Sequence, residues 1–335
     1  MKDRGILAVW AATLACAGLA AALPARAQES AAFLKIGAGA RAIAMGDAFT
    51  AVADDADALY WNPSGLALVG RPQVTAGRAQ MFLGDAHDSL NLAVPLGSQV
   101  QVRRQTWSNN QGNQTAVAVY DGERSRGVLG LGFSRLAQTP QEGRDAERNR
   151  TGSFGASDMA FSLAYARPLG GGLQAGLALK RIESRIADAS AGTLAADLGL
   201  QWRLGSGGRW QWGAAARNVG PGLRFAERTS PLPLTFATGL ARRVGGSLLL
   251  SAEVRHRPYA GRTTFSIGTE YSLLSALSLR AGYNHQQSAA GAGSPLMGGL
   301  GGGLGLRWGR FAVDYALTPF GELGNVQRLS LRAGF

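Results

Sequence analysis

The sequence predicts an all-β protein: a transmembrane antiparallel β-barrel of about fourteen strands with an N-terminal hatch segment inside the lumen. Three observations predict it. The chain opens with an export leader. From Gln73 onward, short segments alternate apolar and polar residues. These segments are joined in turn by very short and by long polar connections. Alternation at period two puts one residue set on each face of a strand. Unequal connections are what short periplasmic turns and long outer loops require.

Residues 1–27 read as a signal peptide. Lys2 and Arg4 give the charged start, Ile6 to Leu23 the apolar part, and Ala25-Arg26-Ala27 an A-x-A cleavage site. The apolar part is short for a bilayer span. Cleavage leaves Gln28 first and removes Cys16, the only cysteine, so no disulfide or thiol chemistry is expected. Thr13-Leu14-Ala15 before Cys16 is a poor lipidation context.

Glycine supplies 48 of 335 residues, about twice the usual share, and the 46% apolar content comes in short runs. That suits strands facing two environments. The formal charge is +12, lowered by two when the leader leaves with Lys2, Arg4, Arg26 and Asp3. A basic balance can mean nucleic acid. Here the arginines are scattered one per strand or loop, so no nucleic-acid partner is expected. They fit anionic head groups at the membrane rim or carboxylates in the lumen, with outer-membrane lipid and lipopolysaccharide as partners.

Residues 28–70 form the expected hatch. Gly37, Ala38, Gly39, Ala40 and Ala42 surround Arg41, followed by Met45-Gly46-Asp47, by Asp54, Asp55 and Asp57, and by Trp61-Asn62-Pro63-Ser64-Gly65. Glycine permits close backbone approach. Pro63 pushes Asn62 away from helix and makes a turn where the chain enters the first strand. One short helix fits between Ala40 and Leu59. Arg41 inside a barrel needs carboxylates, and Glu253, Glu270 and Asp314 are candidates, with Arg255 and Arg280 as further lumenal charges. The aspartates lack the loop glycines of a calcium site and are expected to cap a turn or meet a wall arginine, so no metal is assigned.

Residues 71–335 form the expected barrel. Strands are placed at 72–83, 88–96, 126–136, 156–168, 172–184, 193–204, 209–217, 232–244, 247–257, 262–273, 275–286, 297–308, 310–318 and 326–335. Residues 97–125 fall where a short turn belongs and read as an inserted hairpin. Long connections are expected at 138–153, 184–192, 218–231, 286–296 and 318–325. Leu250 and Val254 share a lipid face opposite Ser251, Glu253 and Arg255; Phe265 and Ile267 oppose Ser266 and Glu270; Leu279 opposes Arg280. The last strand sets Leu329, Leu331 and Phe335 against Arg328, Ser330 and Arg332. A terminal aromatic on an alternating strand is similar to the signal read by the outer-membrane assembly machinery. Leu223, Phe225, Leu296, Met297 and Phe320 lie in outer loops, where they either gather a hydrophobic ligand or partner or pack on one another. No nucleophile elbow, metal-spaced histidine pair or phosphate loop occurs, so neither enzyme activity nor a cofactor is expected.

Gly39 to Leu66 reads G-A-R-A-x-A-M-G, then A-D-D, then W-N-P-x-G-L. This segment resembles the N-terminal segment of the PorV/PorQ family of outer-membrane proteins, within the FadL-like superfamily of long-chain fatty acid transporters. The C-terminal Asp314-Tyr315, Thr318-Pro319-Phe320-Gly321-Glu322-Leu323-Gly324, Arg328-Leu329-Ser330-Leu331 and Phe335 are similar to the same family. The resemblance implies a fourteen-stranded barrel with a hatch. It further implies a role in type IX-like protein secretion, engaging secreted cargo, or, as the alternative, FadL-like passage of hydrophobic small molecules such as long-chain fatty acids.

Overall fold

In the computed structural model, the structure describes residues 27–97, 102–108, 114–120, 126–139, 141–144, 148–204, 209–225, 227–285, 299–319 and 324–335. The leader at 1–26 and the loop residues Leu296, Met297 and Phe320 lie outside them.

Fourteen antiparallel strands close on themselves. In chain order they are β1 (Gln73–Gln80), β2 (Ala86–Pro95), β3 (Val128–Ala137), β4 (Ala156–Gly170), β5 (Leu173–Ile186), β6 (Ala189–Leu204) and β7 (Trp210–Val219). The ring continues with β8 (Thr235–Val244), β9 (Leu248–Arg257), β10 (Arg262–Ser272), β11 (Leu277–Asn284), β12 (Leu300–Trp308), β13 (Phe311–Pro319) and β14 (Asn325–Gly334). Each strand pairs with its neighbours in sequence. The ring is sealed by β1 against β14, from Gln73 opposite Gly334 to Gln80 opposite Gln327. Closure leaves no free sheet edge.

The alternation decides which way each strand faces. Ile267 is 58% exposed while Ser266 is 4% exposed; Leu331 and Ser330 show the same contrast at 52% and 6%. The apolar face points out and the polar face in, the reverse of a water-soluble sandwich and the arrangement a bilayer selects. At one end the connections are tight, such as the three-residue turn Gly245-Gly246-Ser247 between Val244 and Leu248, whose glycines take φ of 59° and 81°.

Two connections differ from the sequence reading. The expected long loop at 184–192 is a tight turn between β5 and β6, which run on to Ile186 and from Ala189. Beyond the membrane both faces of this ribbon meet water, so its residues are polar like a loop while its backbone ladder continues. The loop between β7 and β8 folds inward, carrying a small hairpin of Leu223–Phe225 against Arg228–Ser230. Between β2 and β3, strands Val102–Ser108 and Gln114–Tyr120 pair with each other outside the ring. They leave the β2–β3 register intact from Ala86 opposite Ala137 to Pro95 opposite Val128.

Candidate functional site

The N-terminal segment runs through the ring and contributes two short helices, α1 (Ala40–Ala44) and α2 (Ala58–Trp61). Two 3-10 turns, Ala32–Lys35 and Pro63–Leu68, flank them. The single short helix expected between Ala40 and Leu59 is therefore broken. Between α1 and α2 the chain folds back, with Gly46 (φ 63°) and Asp47 (φ 66°) in left-handed turn conformations. Met45, Phe49, Trp61 and Leu66 are fully buried and form the centre of an apolar cluster with the surrounding alanines.

The local turns hold themselves together. The Trp61 indole Nε1 donates to the Ala38 carbonyl at 2.8 Å, so Gly37 and Gly39 sit against aromatic and acidic side chains without room for a Cβ. The Tyr60 hydroxyl donates to the Leu34 carbonyl at 2.7 Å. Asn62 is the hinge into the second 3-10 turn. Its Oδ1 accepts from the Ser64 amide at 3.2 Å, and Pro63 follows at the first helical position. Its Nδ2 donates to the Thr50 carbonyl at 2.8 Å and to the Leu200 carbonyl of β6 at 3.0 Å. Gly65 packs against the Ala53 backbone.

Charge then ties the segment to the wall. Arg41 donates twice to Glu270, at 2.7 and 3.0 Å, and also reaches Asp54 and, at 3.5 Å, Asp55. Glu270 accepts a further bond from Arg280 at 2.7 Å, and Arg280 reaches Asp314 at 2.7 Å. Asp55 takes Arg332 at 2.9 Å. Burial, with Asp57 beside it, pushes the Asp55 carboxyl up to about 6. Asp57 itself accepts from Thr75 at 2.6 Å and Asn91 at 2.8 Å.

Of the three carboxylates expected to meet Arg41, Glu270 does so directly and Asp314 lies one arginine away. Glu253 does not meet it. Instead it accepts from the Phe49 and Thr50 amides at 2.9 and 2.8 Å and from Arg255 at 2.8 Å. Arg255 also donates to the Asp47 carbonyl at 3.0 Å. Within the aspartate cluster, Asp54 pairs with Arg41 of the segment itself, while Asp55 and Asp57 take separate wall partners. Among the described residues no His, Cys, Asp or Glu group forms a metal cage. Sequence reasoning did not single out Gln201, Arg217 or Asn284 as site residues. Gln201 donates to the Thr50 and Ala53 carbonyls, Arg217 stacks on Tyr60 at 5.2 Å, and Asn284 donates to Asp47 at 2.9 Å. Their inward parity on otherwise apolar-and-small strands was the available signal.

Toward the long-loop end the contacts become apolar. Phe33 and Leu34 pack with Leu223, Leu232, Leu136, Ile182 and Ala195. Of the two outcomes open to the outer-loop residue Leu223, it takes the packed one: it is 1% exposed, because its loop turns inward onto Phe33 and Leu34. Phe225 is half-buried against the same cluster. Beside this cluster the wall is irregular. The β6–β7 register shifts between Ala196 and Leu198, and Asn218 has φ of 61°. Asp197 fills the gap, paired with Lys180 at 2.6 Å and accepting from the Asn218 amide at 2.7 Å. Nearby, an open pocket of about 550 Å³ is lined by Glu29, Lys35, Arg257 and Arg262. Leu329, Leu331 and Phe335 face outward and exposed on β14 and at the terminus.

No family model matches the chain, and no curated protein matches its sequence. Among solved structures the fold is shared with the toluene transporter TbuX of Ralstonia pickettii. That match has a TM-score of 0.57 and 13% identity over 89% of this chain and 98% of the other. It is also shared with the toluene transporter TodX of Pseudomonas putida, with a TM-score of 0.56 and 12% identity over 89% and 99% of the two chains. At such identities the likeness establishes architecture, which is that of an outer-membrane barrel.

Proposed function

We propose that this protein is a passive carrier of small hydrophobic molecules across the outer membrane, exported by a leader cleaved after Ala27. One observation carries the reading. The apolar cluster of Phe33, Leu34, Leu223 and Leu232 lies directly beside the break in the β6–β7 ladder. A ligand received among these side chains has a short route through the wall into the bilayer, and never crosses the charged network below. The solved structures that share the fold are named as toluene transporters, which supports the same class of cargo. Lys35, Arg257 and Arg262 outnumber Glu29 around the open pocket, which favours hydrophobic molecules ending in a carboxylate.

The cargo-engaging role in secretion implied by the N-terminal resemblance calls for a broad exposed apolar surface at the outer mouth. The burial of Leu223 and Leu232 favours passage instead. The test is uptake of radiolabelled oleate and of labelled toluene into proteoliposomes. The reading expects saturable uptake that a cysteine pair stapling β6 to β7 across the shift abolishes. Uptake no faster than into protein-free liposomes, for both probes, would overturn it.

A further inference from the structure

The two ends of the barrel differ in how their cations are balanced. At the long-loop end three exposed arginines pair with carboxylates, Arg78 with Asp88 at 3.2 Å, Arg181 with Glu183 at 3.2 Å and Arg150 with Glu142 at 3.3 Å, and Asp188 and Glu227 are exposed in the same loops. At the short-turn end they do not. Arg167, Arg209, Arg242 and Arg310 are exposed there. No carboxylate among the described residues lies on the outward face or in the turns of that end. The acidic side chains of the lumen toward that end, Asp54, Asp55, Glu270 and Asp314, are held by Arg41, Arg280 and Arg332.

The arginines are also set in a particular way. Arg242 lies opposite Trp210 on the neighbouring strand, with its guanidinium 4.8 Å from the ring centroid. Arg310 lies 5.6 Å from the Phe311 ring, two residues beyond Trp308, which is 87% exposed. Stacking over an aromatic face fixes the guanidinium plane yet leaves its N–H edge free for a planar, bidentate oxyanion. The aromatic rings themselves continue the outward apolar band, through Leu240 on β8 and Leu306 on β12. Amphipathic rings at the edge of such a band sit at head-group depth.

We propose that this short-turn rim is a binding belt for anionic phospholipid head groups of the leaflet it faces. An unbalanced row of cations needs anions. Continuity with the lipid-facing band makes a lipid phosphate the occupant, rather than a soluble protein, which would have to dock against the edge of a membrane. In an outer-membrane barrel the short turns face the periplasm, so the leaflet is the phospholipid one. The inference rests on the barrel and its charges alone, independent of what the lumen carries.

Native mass spectrometry of the barrel, released from nanodiscs of equimolar phosphatidylglycerol and phosphatidylethanolamine, reads the preference directly. The wild type is expected to retain phosphatidylglycerol preferentially. The triple variant Arg167→Gln, Arg242→Gln, Arg310→Gln is expected to lose that preference by roughly fivefold per arginine removed. Arg242→Lys is expected to keep part of it, because charge remains while the planar edge is lost. Heat-modifiable gel mobility identifies folded variants for comparison. Equal retention of both lipids by the wild type, an unchanged preference in the triple variant, or displacement of the lipid by inorganic phosphate would each overturn the proposal.

Discussion

The two halves of the lumen wall hold the same N-terminal segment by different physics. Strands β9 to β14 grip it through charge, with Glu253, Glu270 and Arg332 reaching the Phe49 and Thr50 amides, Arg41 and Asp55, and with Arg280 bracing Glu270 from the wall. Strands β5 and β6 grip it through closeness. A Cβ on Gly199 would stand 2.9 Å from Pro63 Cδ and 3.0 Å from the Ser64 amide nitrogen, and Gly176 meets the same turn. The charged half does not tolerate the loss of one partner, and it too is close-packed where Gly268 and Gly282 meet the Met45 and Gly46 backbone. The close half tolerates no added atoms but is indifferent to salt and pH.

The largest effect should come from the charged half. Glu270→Ala removes the acceptor shared by Arg41 and Arg280 and leaves two buried guanidinium groups undercompensated. The expected cost is about 3–5 kcal/mol, read from denaturant unfolding of the refolded barrel in detergent. A cost near zero would mean that water, not Glu270, balances those charges. Gly199→Val is next. Overpacking against Pro63 is expected to cost about 1–3 kcal/mol, and the loss should be the same in low and high salt. A strong salt dependence would erase the contrast between the halves.

The smallest effect is one of pH. In the folded state the Asp55 carboxyl is pushed up to about 6, above the ordinary carboxylate value near 3.8. The folded state therefore binds the extra proton between those values, and the ionisation cost felt at pH 7 is relieved as pH falls toward 4. Wild type should gain stability relative to Asp55→Asn as pH falls from 7 to 5, by a small shift in melting temperature. A difference between the two proteins that does not move with pH would place Asp55 in a fully compensated ion pair.

Much of this was legible in the residues. Strict alternation in Phe265 to Tyr271 and in Leu329 to Phe335 gave the outward and inward faces, because lipid and lumen reward opposite chemistries at each step. The small-residue run around Arg41 and the Asn62-Pro63 turn marked a segment built for close packing. What stayed hidden depends on height in the lumen. Glu253 and Glu270 share the inward face, and only the stagger of β9 against β10 decides that Glu270 meets Arg41. Which of the two outcomes Leu223 takes was not legible, because its loop has no period to reveal which side it buries. The shift at Ala196 is marked only by Asp197, a residue that strands disfavour, which on an inward face reads as one more lumenal charge.

The fourteen-stranded barrel is filled by its own N-terminal segment. Planar-bilayer conductance of the purified protein reads out that filling, comparing the chain beginning at Gln28 with one lacking residues 28–70. Sparse, small conductance is expected of the first and large, stable channels of the second, as an emptied barrel of this size leaves an aqueous lumen. Equal conductance from both proteins, with the deleted form shown to be folded, would contradict it.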